Sequence, residues 1–408
     1  MKDTNKKSFD VIVIGAGASG MMAAIVAAGK GARVLVLEHK DKVGKKILAT
    51  GNGKCNYTNK DMSDNYFRGD KELIISILSQ FGEQDTIDFF EELGVLPKEK
   101  NGYMYPYSEQ ASSIVFALEN AMLKLGVKVV LSVDISDIKK KSKFSVITNL
   151  GKFESEKLVI STGLLANPKL GSDGSIFDML KKFGHRFNPI VPALCGFYCK
   201  GMDFKICSGV RAEGRVLAKI DGKFVASDVG EIQFTDYGLS GIPVFQISRY
   251  LSLALHNNQN CQIEFDLFNN ISYEDLLLLF NKRIKILGKV TALDFFNGFI
   301  NLKLAKAILN QCGVNYNAKM DKLNDNTIKS LVNALCHNSV IVEKSRGFEF
   351  AQVCAGGIKT EEINTTTLES KIVDGLFFTG EILDVDAICG GYNLQWAWAS
   401  GFVAGNCI

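Results

Sequence analysis

Val11-Ile12-Val13-Ile14-Gly15-Ala16-Gly17-Ala18-Ser19-Gly20, followed by the alanine-rich run Met21 to Ala28 and by Gly29, is the stretch that decides the fold. Val11 to Ile14 is a β-branched run, the pattern of a buried strand in a parallel sheet. Met21 to Ala28 suits a buried helix. Arg33 to Leu37 is a second strand, and it ends on Glu38. These pieces form a βαβ unit with GxGxxG at its first turn and an acid after its second strand. Gly15 permits the tight turn, Gly17 lets backbone N–H groups approach a pyrophosphate, and Gly20 lets the helix pack close to the strand. The helix start, at Ala16, Ala18 and Ser19, offers unpaired N–H donors and a partial positive charge to phosphate. Glu38 accepts from both ribose hydroxyls and disfavours a 2′-phosphate, so FAD or NAD fits better than NADP. A glycine-rich turn with no ligand leaves Glu38 unexplained.

Around this unit lie 408 residues with 47 basic and 44 acidic side chains, a net charge of +3. Such a length suggests two or three domains and buries a core without staples. The balance excludes a strongly basic nucleic-acid binder. The ten cysteines include no CxxC pair, so zinc ribbons and thioredoxin-like sites are unsupported. Residues 11–29 carry no charge and follow Lys2, Lys6 and Lys7, as an export signal or membrane span would. Gly15, Gly17 and Gly20 interrupt that stretch, and a strand follows it directly. A buried strand, turn and helix are the better reading, in a cytoplasmic protein with free thiols.

After Glu38 and His39 comes a loop of about twenty residues: Val43-Gly44-Lys45-Lys46-Ile47-Leu48-Ala49-Thr50-Gly51-Asn52-Gly53-Lys54-Cys55-Asn56-Tyr57-Thr58-Asn59. Its Gly, Asn, Lys and Thr content suits a wrap around a long polar ligand. This loop, the first motif and the C-terminal motif described next resemble a bacterial two-dinucleotide-fold FAD flavoprotein family. Its members include the flavoprotein of the bile-acid dehydroxylation operon and an aminoacetone oxidase. The resemblance spans the whole chain. It implies an extended FAD, with His39, Gly44, Lys45, Lys46, Gly51, Asn52, Gly53, Lys54, Cys55 and Asn56 among its binding residues.

Ser108 to Leu125 reads as a helix. Val127–Leu131, Phe144–Thr148 and Leu158–Ile160 read as strands that fit the three-stranded β-meander of many FAD domains, with Ile135 beside the adenine. Ser161-Thr162-Gly163 is similar to the Ala-Thr-Gly turn that returns to the cofactor in these flavoproteins. The texture changes near Asn188. Asp221-Gly222 is a strong hairpin turn between Val216–Ile220 and Lys223–Ala226. Ile232–Thr235, Cys261–Leu267 and Ser339–Glu343 are strand-like, and Tyr273–Leu287, Leu302–Gln311 and Asn326–Cys336 are helical. The predicted architecture is α/β: a discontinuous Rossmann-like FAD-binding domain (residues 1–188 and 346–408) interrupted by an insertion (189–345). The insertion comprises a β-barrel (189–268 and 337–345) and a helical subdomain (269–336). The C-terminal motif runs from Asp374 through Gly380-Glu381 to Gly390-Gly391-Tyr392-Asn393-Leu394, where a helix opens and continues to Val403. The resemblance places Gly380 and Glu381 at the FAD phosphate and ribityl region, with a ribityl hydroxyl as partner for Glu381. It aims the helix from Gly391, Tyr392, Asn393 and Leu394 at the pyrimidine edge of the flavin, whose reduced form is negative there.

No second GxGxxG unit appears, so NADH or NADPH would reach the flavin transiently through the substrate cavity, or another electron source is used. Reducing an activated C=C needs a hydride and a proton donor. Tyr57, Tyr103, Tyr105 and Tyr392 are the candidate donors, against packing roles for each. Cys55 follows Lys54, which would lower its pKa and make the thiol redox-active; a packed residue is the alternative. Cys354-Ala355-Gly356-Gly357 brings backbone close to flavin or substrate, or is a plain turn. Trp396 and Trp398 suit packing, and His185, His256 and His337 a structural role. Three functions fit: an NAD(P)H-dependent reductase of a small apolar enone, of bile-acid or steroid type; an amine oxidase passing electrons to oxygen; and an RNA-binding flavoprotein. Dispersed lysines disfavour nucleic acid, and no membrane partner or metal is expected. Oligomeric state is open.

Overall fold

The computed structural model describes residues 8–408. Lys2, Lys6 and Lys7, which flank the uncharged stretch, lie outside the described residues. The chain forms two compact units. The first runs to Ile190 and resumes over Val353–Ile408; the second is Val191–Gln352.

The first unit is built on a parallel sheet. Ser8–Ile14 pairs with Val34–Leu37 on one side and with residues 154–160 on the other. Lys128–Val130 extends the sheet beyond Val34–Leu37, and Leu376–Phe378 pairs with Leu158–Ile160. Val11 to Ile14 and Val34 to Leu37 are buried throughout, which is why both read as unbroken apolar runs. The long strand Gly151–Ile160 serves two partners. Its first half pairs antiparallel with Phe144–Thr148, which pairs in turn with Ile135–Lys140. The meander is therefore Ile135–Lys140, Phe144–Thr148 and Gly151–Ile160. Residues 127–131, expected as its first strand, instead form the outer parallel strand. Four of the six residues of Ile135–Lys140 are polar or charged and only Ile138 is fully buried, so this strand has no apolar signature.

Helix Ala18–Gly29 is apolar on nearly every face and lies between the sheet and the C-terminal helix Tyr392–Asn406. The two helices approach closely. A Cβ on Gly401 would fall 2.4 Å from the Ser19 carbonyl oxygen, and one on Gly405 2.7 Å from that of Ala23. Two further helices, Lys71–Leu78 and Glu83–Glu92, were not singled out from sequence; Asp70 caps the first through the Glu72 and Leu73 N–H groups. The expected helix 108–125 is Ala111–Lys124.

The second unit is a closed barrel. Its strands follow the spatial order Phe197–Lys200, Gly238–Ser240, Lys223–Phe234, Arg211–Ile220, Cys261–Asp266 and Asn338–Ser345. Asp221 and Gly222 take φ of +50° and +78°, the turn expected between the two longest strands. Helix Ile242–His256 buries Val244, Ile247 and Leu251 in the barrel core and was missed from sequence. Pro243 and a β-branched start mask its period. Tyr273–Leu287, Ala292–Phe295, Leu302–Gln311 and Asp325–Cys336 make up the helical part, gathered around Phe280, Phe295 and Phe296. The ten cysteines are free thiols. Among the described residues no helix is long and apolar enough to cross a membrane.

Candidate cofactor site

The first turn is shaped by backbone contacts. A Cβ on Gly20 would sit 2.0 Å from the Gly15 carbonyl oxygen, so helix and strand can meet only with glycine there. Gly17 differs: a Cβ on it meets nothing within 4 Å. That face is open, as a passing pyrophosphate requires. Glu38 is buried, and its carboxylate is fixed by the Ala16 N–H (2.6 Å) and the Lys40 N–H (2.8 Å). Each oxygen keeps a further lone pair for a ribose hydroxyl. The Val133 N–H donates to the Glu38 carbonyl, which draws the segment before Ile135 alongside. His39 turns its ring to Asp134 (3.0 Å) and towards Asp173, so its side chain is engaged by carboxylates rather than aimed at the turn.

The loop after Glu38 is more ordered than expected. It contains a short helix, Lys45–Ala49, a 3-10 turn, Thr50–Gly53, and a strand, Thr58–Asn59. Gly51, Asn52, Gly53 and Cys55 all have positive φ, and the Gly44 N–H anchors the loop on the Ala16 carbonyl. Its three lysines part ways. Lys46 turns inward to Glu381 (2.7 Å), whereas Lys45 pairs with Asp41 and Lys54 with Glu109. Lys45 and Lys54, expected at the cofactor, are thus neutralised by neighbouring carboxylates. The activated-thiol reading of Cys55 is also corrected. Lys54 is occupied by Glu109, Cys55 is fully buried, and burial pushes its thiol up to about 12 despite a weak bond to Thr50.

The C-terminal motif closes on these elements. Ser161 and Thr379 share a buried hydroxyl contact of 2.6 Å, joining the Ser161-Thr162-Gly163 turn to the strand before Gly380. A Cβ on Gly163 would lie 2.8 Å from Ser172 Oγ and 3.3 Å from Glu381 Oε2. Glu381 accepts from Lys46 Nζ and, at 2.7 Å, from the Cys354 N–H. Protein partners thus orient the Glu381 carboxylate. Gly356 and Gly357 approach protein backbone, not an open face: a Cβ would strike the carbonyl oxygens of Pro189 (2.1 Å) and Ile382 (2.7 Å).

Gly391 caps the C-terminal helix at φ +96° and lies against Thr58 and Asn56. Asn59 Nδ2 donates to the Gly390 carbonyl. The helix ladder begins with the Gln395 N–H on the Gly391 carbonyl, so the N–H groups of Tyr392, Asn393 and Leu394 lie outside it. The Asn393 side chain is spent on Ala387 and Ile388, which leaves its backbone for a ligand. Asn56 Oδ1 is buried beside this helix start without a hydrogen-bond partner. The open face at Gly17, the fixed Glu38, the two helix starts and the orphaned Asn56 oxygen together fit FAD.

The four tyrosines separate clearly. Tyr57 is sealed, its ring 5.2 Å from Phe90 and its hydroxyl without a partner; burial, aided by Glu91, raises its pKa. It has no open face from which to give a proton. Tyr103 and Tyr105 share one face of a small sheet whose other face buries Met104. Tyr105 stands near Lys54 and Glu109, and burial raises its phenol. Tyr103 is 39% exposed and touches the Gly390 turn. The Tyr392 hydroxyl donates to the Asp61 carbonyl (3.1 Å), and its ring lies 4.8 Å from Tyr66, which donates to the Asp61 carboxylate. Burial, then Tyr66 and Asp61, raise the Tyr392 phenol. Asp61 and Tyr66 were missed from sequence because they lie in an irregular segment with no motif.

Trp396 donates to the Gly380 carbonyl and Trp398 to the Tyr57 carbonyl, so both indoles pack as expected and also pin the cofactor motifs. Gln395, another residue missed from sequence, is fully buried between Thr58, Thr86 and the Phe81 carbonyl.

The model of the HI0933-like protein Rossmann domain matches residues 9–407. The chain is 40% identical over 397 residues to a 3-dehydro-bile acid delta(4,6)-reductase of Clostridium scindens, covering 96% of this chain and 97% of that protein. It is 30% identical over 399 residues to a ribosomal RNA dihydrouridine synthase of Escherichia coli, covering 97% and 96%. A 3-ketosteroid-delta4-(5alpha)-dehydrogenase from Rhodococcus jostii RHA1 shares the fold, with a TM-score of 0.52, 16% identity and coverage of 100% and 98%. The chain belongs to the HI0933-like Rossmann-domain family and is an FAD-dependent oxidoreductase.

Proposed function

We propose that the chain saturates a carbon–carbon double bond conjugated to a carbonyl, on a small apolar enone of bile-acid or steroid type, in the cytoplasm. The observation that carries this reading is the 40% identity, over nearly the full length of both chains, to a bile-acid delta(4,6)-reductase. A dihydrouridine synthase also takes its name from a saturated C=C beside a carbonyl, so two relatives point to one bond chemistry. Bound FAD supplies a hydride at flavin N5, replenished from NADH or NADPH. The N–H groups of Tyr392, Asn393 and Leu394, with the dipole of their helix, favour negative charge laid against them. Tyr103 gives the proton to the second carbon: its ring stands exposed at the Gly390 turn, beside the helix start. Tyr392, held by the Asp61 carbonyl, fixes that turn.

Anaerobic addition of NADH or NADPH to the FAD-loaded protein, then of a steroid 4,6-dien-3-one, tests this. Bleaching by a nicotinamide and recovery of colour on adding the dienone, with the saturated product formed, is the expected result. No bleaching by either nicotinamide, but bleaching by amines with peroxide formed in air, would show an oxidase instead. A second reading, reduction of uridine in RNA, is favoured by the 30% relative. Dihydrouridine formed in ribosomal RNA, with no dienone turnover, would establish it.

A further inference from the structure

The barrel unit carries a cation that the chemistry above does not use. Arg346 follows the barrel strand Asn338–Ser345, and its guanidinium contacts two rings, 4.0 Å from the centroid of Tyr237 and 4.0 Å from that of Phe350. Tyr198 completes the cluster at 5.5 Å, and Lys344 stands 4.8 Å over that same ring. Tyr198 alternates with the buried Phe197 and Cys199, so this face of the strand looks out of the barrel. Arg346 Nε is buried and has no hydrogen-bond partner. Among the described residues no carboxylate pairs with Arg346 or Lys344, although the neighbouring Lys200 is paired with Glu343. A guanidinium that packs on rings and has no carboxylate partner keeps N–H donors for bonding, and its edge matches a planar oxyanion held by two parallel hydrogen bonds. Phe350 is 55% exposed, which leaves an apolar surface beside the cation.

The geometry points to a binding subsite, made by Arg346, Tyr237, Phe350, Tyr198 and Lys344, for the carboxylate of an otherwise apolar molecule. The inference rests on the enone-reductase reading for its role, because it narrows the substrate class to carboxylated enones. A base stack, as in single-stranded RNA binding, is less favoured because the Tyr237 and Phe350 rings are already engaged by the Arg346 guanidinium.

The test is calorimetric titration of the FAD-loaded protein with cholate and with its methyl ester, which need no turnover. The acid should bind at least ~10-fold more tightly than the ester, as expected for a charge-assisted pair. R346Q should bind both like the ester, with flavin content unchanged. F350A keeps the cation and should retain part of the preference. Equal binding of acid and ester by the wild type, or an undiminished preference in R346Q, overturns the subsite. So does salt-sensitive retention of a uridine-rich RNA that R346Q abolishes while cholate fails to bind. Dienone turnover is read in parallel. Turnover indifferent to a carboxylate, with equal binding, removes the subsite and leaves the reductase; acid-selective binding with no turnover of any enone removes the reductase and leaves the subsite.

Discussion

At the scale of single residues, chemistry follows access. Tyr57 and Tyr103 both sit near the start of the C-terminal helix, yet one is sealed against Phe90 and Trp398 and the other exposed at Gly390. Loss of a general acid costs about 10²–10⁴ in rate. Y103F should therefore lower kcat for dienone saturation by that order with flavin content intact, in single-turnover assays with pre-reduced protein. Y57F should change kcat less than about threefold, since its hydroxyl has no partner to lose. Cys55 supports a different expectation. With its thiol held up near 12, it stays protonated throughout the neutral range. Iodoacetamide at pH 8 should leave Cys55 unlabelled in the native protein, as peptide mapping would reveal, and C55A should keep turnover within about twofold.

At the scale of elements, the C-terminal helix organises the site. Its Trp396, Trp398, Gln395 and Ser400 reach the Gly380 turn, Tyr57, Thr58 and the Gly380 N–H from one 15-residue element. A buried donor lost from such a network leaves its acceptor unpaired, at about 1–3 kcal/mol. W398F keeps the ring packing on Phe90 and removes the bond to the Tyr57 carbonyl. We expect it to lower unfolding free energy in urea by about 1–2 kcal/mol and to release FAD at lower denaturant than the wild type. The helix also explains the glycines at 401 and 405, which the sequence offers as mere small residues. They let it lie against Ala18–Gly29.

At the scale of the whole molecule, stability is coupled to acid through a buried cluster of ionisable residues. His185 lies between Glu362 and Ser370, with its ring against Phe378. Burial lowers its pKa below 6.5, outweighing the pull of Glu362. The unfolded chain therefore takes the proton more readily, so this stability is present above about 6.5 and is lost as pH falls through that value towards the folded pKa. Glu362 acts in the same direction at lower pH. Burial opposes its charge, but the Arg186 N–H and guanidinium, with His185, hold it below 4.5. Its contribution is present above that value and is lost as pH drops through the folded pKa. Melting temperature should fall by on the order of a few degrees from pH 7 to pH 5.5, and H185Q should flatten that part of the profile in calorimetry.

Much of this protein is written locally. Short-range rules decide the βαβ unit, Glu38, the Asp221-Gly222 hairpin and three of the insertion's helices, because a strand buried on both faces, a turn with positive φ and a 3.6-residue period each leave a mark within a few residues. The candidate cofactor residues at Gly17, Glu38, Asn56 and Gly391 were legible for the same reason, through motifs carried on neighbouring positions. Tertiary structure alone decided which side chains remain free. Lys54 pairs with Glu109, and Glu381 with Lys46 and the Cys354 N–H, through contacts between residues up to 335 positions apart. It moved residues 128–130 out of the meander, sealed Tyr57 while exposing Tyr103, and left Arg346 packed on aromatic rings without a carboxylate partner among the described residues. Burial and pairing depend on what the rest of the chain brings alongside, and no local pattern encodes that.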